Sequence, residues 1–160
     1  NKYQEIRSSL SDGYENLNME EDEVTPSSHC PKKNNQLKIV SDCIKDIEYF
    51  WIADVVGKIV NTIDSNCINQ LDDRELLDLG YIQNDILKFC SEKDDFMQGY
   101  EREVMSVNIV NAFIKLLKCL CKNYRLKIII LNSSYMDDIS ANVLNYLGRA
   151  NIEGLTFIEK

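Results

Sequence analysis

The sequence predicts an α/β domain, a small and mostly parallel sheet with flanking helices, preceded by a disordered acidic tail. Three observations carry this expectation. Leu126-Lys127-Ile128-Ile129-Ile130-Leu131 is an apolar, β-branched run of strand length that follows a long amphipathic stretch. The last forty residues repeat that order, with a second helical pattern before Leu155-Thr156-Phe157-Ile158. Ahead of residue 36, by contrast, there is little that a core could take up.

From Asn1 to about Asn35 the residues are mostly polar, and Glu20-Glu21-Asp22-Glu23 is followed by Thr25-Pro26-Ser27-Ser28. Through Cys30, seven acids face two bases, so this stretch supplies −5 of the net −8 carried by the 160 residues. Residues 1–35 therefore read as a disordered acidic tail and residues 36–160 as one α/β domain. The stretch Asn1 to Pro31 lacks the basic-then-apolar order of a secretory signal.

Next, Leu37, Val40, Ile44, Ile47, Trp51, Val55 and Ile59 recur at spacings of three and four, which predicts one amphipathic helix. Asn34-Asn35 suits its start and the Asn61 to Asn69 stretch its end. Its apolar face, with Trp51, Val55 and Ile59, is the expected partner-binding surface. Asp72 and Glu75 have the spacing of a capping box, and Leu76, Leu77, Leu79, Ile82, Ile86 and Phe89 continue it as helix. Glu75 to Ile82 reads equally as a short strand, and Ser91 to Asp95, with Gly99 nearby, as a loop.

A long helix is expected from about Glu101 to Asn123, with Val104, Val107, Val110, Phe113 or Ile114, Leu117 and Leu120 or Cys121 on its inner stripe. The strand after it is apolar enough to be buried on both faces, as in a parallel sheet. Asp137 or Asp138 can cap a helix carrying Ile139, Val143, Tyr146 and Leu147, with Gly148 closing it before the last strand. Parallel strands joined by right-handed crossover helices are the expected architecture.

The composition excludes more than it assigns. A charge of −8 disfavours non-specific capture by nucleic-acid phosphates or anionic membranes. The longest apolar candidate for a membrane span, Trp51 to Ile63, is broken by Asp54 and Lys58. Six cysteines without a CxxC pair read as free thiols of an intracellular protein, nuclear or cytoplasmic, and no spacing fits a metal site. Gly57-Lys58 is followed by Ile59, and Ile52 stands where a phosphate loop needs its first glycine. The single histidine, His29, lies in the tail, and the acid pairs Asp72-Asp73, Asp94-Asp95 and Asp137-Asp138 suit caps and loops. No catalytic constellation, cofactor or metal is therefore expected. Lys115, Lys118 and Lys122, spaced by three and four, form one positive helix face that suits a phosphate or an acidic partner.

The stretch Phe113 to Ser133, a long helix running into an apolar strand with a polar end, is similar to the C-terminal half of the RecA-like recombinase fold. So is Tyr146-Leu147-Gly148-Arg149-Ala150 before Leu155 to Lys160, and the likeness is to the eukaryotic recombinase paralogues in particular. It spans about Leu76 to Lys160. Ala150 or Asn151 stands where that family has a tryptophan, Glu75 to Gly80 is a poor apolar strand, and the phosphate loop is absent. The resemblance implies a degenerate paralogue that binds other recombinase-like subunits, meets DNA only indirectly and hydrolyses no ATP. Asp78 and Asn132 would then lie near the nucleotide, at strand ends.

A second resemblance is to a helix-containing leucine-rich repeat, carried by the order of Ile130, Asn132, Asp138, a helix and Ile158. A third possibility is a nucleotide-binding enzyme domain with its phosphate loop elsewhere. The expected function is a non-catalytic subunit that works through protein contacts, in homologous recombination if the first resemblance holds.

Overall fold

The computed structural model describes residues 35–63, 65–91 and 102–160. All of the expected tail except Asn35, and all of the expected Ser91–Asp95 loop except Ser91, lie outside the described residues.

At the start of the domain a period of two overrides the expected three-four spacing. Gln36–Ser41 is a strand, β1, in which Leu37, Ile39 and Ser41 are buried while Gln36 and Lys38 are exposed. The single helix expected from Leu37 to Ile59 is thus a strand, a turn and a shorter helix, α1 (Phe50–Thr62). Ile44 and Ile47, which fitted the helical spacing, lie exposed in the turn. Asn35 opens the strand rather than a helix, its carbonyl accepting the Arg125 N–H at 2.7 Å.

A short helix, α2 (Ser65–Ile68), precedes α3 (Asp73–Gly80). The open choice between helix and strand after Asp72 falls to helix, because the capping box forms in both directions: Glu75 N–H donates to Asp72 Oδ1 at 2.8 Å and Asp72 N–H to Glu75 Oε1 at 3.0 Å. Asn84–Phe89 then continues as a 3-10 helix. The long helix α4 (Arg102–Cys121), the strand β2 (Arg125–Ile130), the helix α5 (Asp138–Ala150) and the strand β3 (Leu155–Glu159) form where expected, but Val104 and Val107, expected on the inner stripe of α4, are exposed, because the core begins further along the helix, at Ile109. Asp137 is the α5 cap, accepting the Ser140 N–H at 3.1 Å. Gly148 lies inside α5 instead of closing it; Asn151, at φ 49°, makes the left-handed stop.

The three strands are all parallel in the order β1-β2-β3. Leu37 lies beside Leu126 and Ile39 beside Ile128, which has Phe157 on its other side. This row set faces the helices. Trp51 is fully buried there, with Phe113 of α4 edge-on at 5.8 Å and Phe157 of β3 at 6.1 Å. Its indole N–H donates to Ser41 Oγ at 2.9 Å, and the Ser41 hydroxyl donates to the Ile129 carbonyl at 2.9 Å.

Val55 and Ile59, like Trp51, have no exposed surface. The expected partner-binding surface is therefore core: its apolar stripe is satisfied within the chain by the sheet and α4. Gly57 of α1 has a local reason, since a Cβ there would stand 2.6 Å from the Gln83 amide nitrogen, which donates to the Ala53 carbonyl at 3.1 Å. The helix over Glu103–Cys121 is long and apolar enough to cross a membrane, but Ile109, Phe113, Leu116, Leu117 and Leu120 bury its apolar side within the fold.

Ser41→Ala strands the buried Trp51 N–H and removes the hydroxyl that holds the Ile129 carbonyl. Urea unfolding of the full chain should show a loss of about 1–3 kcal/mol. A midpoint equal to wild type would contradict this role of Ser41.

Candidate functional site

The second face of the sheet is where the structure departs furthest from expectation. The strand β2, expected to be buried on both sides, has only one buried face: Lys127 is exposed and Ile129 half-buried. Gln36, Lys38 and Val40 of β1, Arg125, Lys127 and Ile129 of β2, and Thr156 and Ile158 of β3 share this side by register. None of the eight is fully buried, and none is acidic. Val40, Ile129 and Ile158 make an apolar row at the C-terminal end, with the bases below it.

The described residues place three bases on this face. Lys38 and Lys127 are register partners, so two ammonium stems leave neighbouring strands side by side, with Arg125 two positions before Lys127. Like charges directly opposite weaken a sheet, and among the described residues no ion pair offsets them. A groove of 460 Å³ opens here, lined by Gln36, Arg125, Lys127, Thr156 and the acidic Glu153. Sequence reasoning missed Lys38. The available signal was the repeated tripeptide Leu37-Lys38-Ile39 and Leu126-Lys127-Ile128, which the fold sets in exact register.

The C-terminal strand ends, where open α/β sheets commonly bind ligands, carry a hydrogen-bond network. Asn132, left-handed at φ 54°, donates its amide to Asp42 Oδ1 at 2.8 Å. Asp54 accepts the Asp42 N–H at 2.8 Å and the Lys58 ammonium at 2.7 Å. Asp137 also accepts the Tyr49 N–H at 2.9 Å, tying the start of α1 to that of α5. Burial pushes the Cys43 thiol up to about 11, reinforced by the carboxylates of Asp42, Asp137, Asp54 and Glu159. Carboxylates around a protonated thiol repel a phosphate and disfavour the Cys43 thiolate at neutral pH.

The pair Asp78 and Asn132 is not assembled as the first resemblance implies. Asn132 does follow a strand, but Asp78 lies on α3, 3.8 Å from Arg74, because Asp72 starts a helix and not a strand there. Burial raises the Asp78 pKa. Lys115, Lys118 and Lys122 are all exposed on one side, Lys122 just past the end of α4. Lys115 is engaged by Glu75 at 2.6 Å, a hydrogen bond that raises its pKa and links α4 to α3. Among the described residues no disulfide joins the five cysteines, all of which are buried, and no three His, Cys, Asp or Glu side chains gather as metal ligands.

Comparison of the chain with protein-family models, curated proteins and solved structures gives no match.

Two outcomes follow from this geometry. Lys127→Glu turns a like-charge neighbour pair into an opposite one, so thermal or urea unfolding should show a gain of about 0.2–1 kcal/mol; a loss would mean that the bases are already compensated. Burial also pushes the Cys121 thiol up to about 11. Both Cys43 and Cys121 should resist iodoacetamide in the native chain at pH 8, as read by mass spectrometry. The folded-state values are raised, so their contribution to stability is whole below the ordinary thiol value and is lost as pH climbs towards 11. Rapid native-state alkylation at pH 8 would contradict the burial.

Proposed function

We propose that the chain is a non-catalytic protein-binding module whose partner, an acidic protein surface, seats on the open sheet face. The observation that carries this reading is the row of Lys38, Lys127 and Arg125 beside the apolar row of Val40, Ile129 and Ile158, on a parallel sheet whose described helices all lie on the other side. Parallel sheets are ordinarily covered on both faces. The exception is the repeat solenoid, in which successive parallel strands keep their helices on one side and offer the other to a partner.

The geometry favours the leucine-rich-repeat-like reading over the enzyme reading. Strand order follows chain order, and Leu126 lies beside Leu155, 29 positions on, within the repeat length of such arrays, whereas Leu37 lies beside Leu126 across 89 positions, so the β2–α5–β3 unit alone has that spacing. A recombination accessory role is the narrower proposal, resting on the likeness of Phe113 to Ser133 and Tyr146 to Lys160. The apolar row of Val40, Ile129 and Ile158 makes a protein surface a better fit than bare phosphates.

The test is affinity purification of the full tagged chain and of Lys38→Glu/Lys127→Glu, with nuclease treatment and mass spectrometry. The double variant keeps a like-charge pair of opposite sign, so its fold stability should stay near wild type. A stable protein partner recovered with wild type and lost with the variant is the expected result. If that partner is a recombinase-like subunit, the recombination role gains its support; if it is another complex, the module stands without that role. Equal recovery with both proteins, or no stable partner with either, would overturn the reading.

A further inference from the structure

The helix layer, on the opposite side of the molecule from the basic sheet face, holds a second surface. Between α4 and α5 runs a trough of 680 Å³. One wall is Ser106, Val110, Ile114 and Lys118, spaced by four along α4; the other is Ile139, Val143 and Tyr146 of α5. Val110, Ile114 and Ile139 are half-buried and Val143 buried, so the floor is apolar. Tyr146 at the lip is 52% exposed, and Val107, one turn before the lining residue Asn111, is 58% exposed.

The shape and the charge of this trough select its occupant. Both walls repeat apolar positions at helical spacing, the pattern that receives the ridge of a third helix. From Ser106 to Lys118 the wall runs about 18 Å, or roughly three turns of an added helix. None of the lining residues is acidic, although the chain carries 26 acids, and Lys115 and Lys118 stand on the rim. Glu75 already engages Lys115. Lys118, followed one turn later by exposed Lys122, meets no ion-pair partner among the described residues and marks the end of the trough that takes negative charge.

We propose that this trough docks an acidic amphipathic helix of a partner protein, with its apolar stripe on Val110, Ile114, Ile139 and Val143 and its carboxylates against Lys118 and Lys122. This surface is separate from the open sheet face, and either can stand without the other.

The probe is a synthetic helix of about 14 residues with leucines at three-four spacing and glutamates flanking them, titrated into the full chain. Its controls are the same peptide with lysine for glutamate and a scrambled version. Methyl NMR shifts should concentrate on Val110, Ile114, Ile139 and Val143. The lysine peptide should bind at least about tenfold more weakly. Lys118→Glu should weaken the acidic peptide by a similar factor and strengthen the lysine peptide, a reciprocal exchange that a folding defect would not produce. Tyr146→Ala, which removes an exposed lip contact without adding charge, should weaken both peptides. No saturable binding up to about 1 mM, shifts confined to Val40, Ile129 and Ile158, or indifference to Lys118→Glu would each overturn the proposal.

Discussion

The burial of one indole decides which side of the sheet is inside. Trp51 of α1 sits among β1, β3 and α4, its N–H donating to Ser41 of β1, with the Phe113 ring of α4 steeply inclined to it and Phe157 of β3 as a further ring contact. A buried indole must both fill its volume and satisfy its single donor. Ser41 does the second while its own hydroxyl reaches across to β2. Once that face is committed, the alternation of each strand commits the other. Gln36, Lys38 and Val40 must point away from the helices if Leu37, Ile39 and Ser41 point towards them.

The consequence is a parallel sheet with an asymmetric character. Its inner face is continuous with the one hydrophobic cluster of the described residues, while its outer face is basic at one end and apolar at the other. Among the described residues Lys38 and Lys127 adjoin without an acid between them, which costs stability. An acidic partner would reverse the sign of that interaction, and the same charge pattern that weakens the isolated sheet would strengthen the complex. At the strand ends the chemistry is of a different kind: the carboxylates of Asp42 and Asp54 and Oδ2 of Asp137 accept backbone and side-chain donors that hold the turns in place, while Asp137 Oδ1 is buried without a hydrogen-bond partner among the described residues.

The elements legible in the sequence were those with an unambiguous period or a complete local signal. The α4 stripe, the Ile-rich β2 and the Asp72/Glu75 box each specify their own conformation, and α5 and β3 follow from the Asp137 cap and the β-branched end. Hidden was β1, because Leu37, Val40 and Ile44 happen to match helical spacing although a strand and a turn divide them. Periodicity also identifies an apolar face without saying what covers it. Trp51, Val55 and Ile59 therefore read as a partner surface until the sheet is seen lying on them. The open face was concealed for the converse reason: Ile128, Ile129 and Ile130 in succession look like a strand buried on both sides, and only the pairing with β1 shows that Lys127 has a lysine for a neighbour.

One-sided burial is the claim on which the rest turns, and methyl relaxation of the full chain by a soluble paramagnetic probe measures it directly. The methyl signals of Val40, Ile129 and Ile158 should broaden strongly, while those of Leu37, Ile39 and Ile128 stay protected. Equal protection of both sets would mean that the outer face is covered within the chain itself, and the account of it as a binding surface would be wrong.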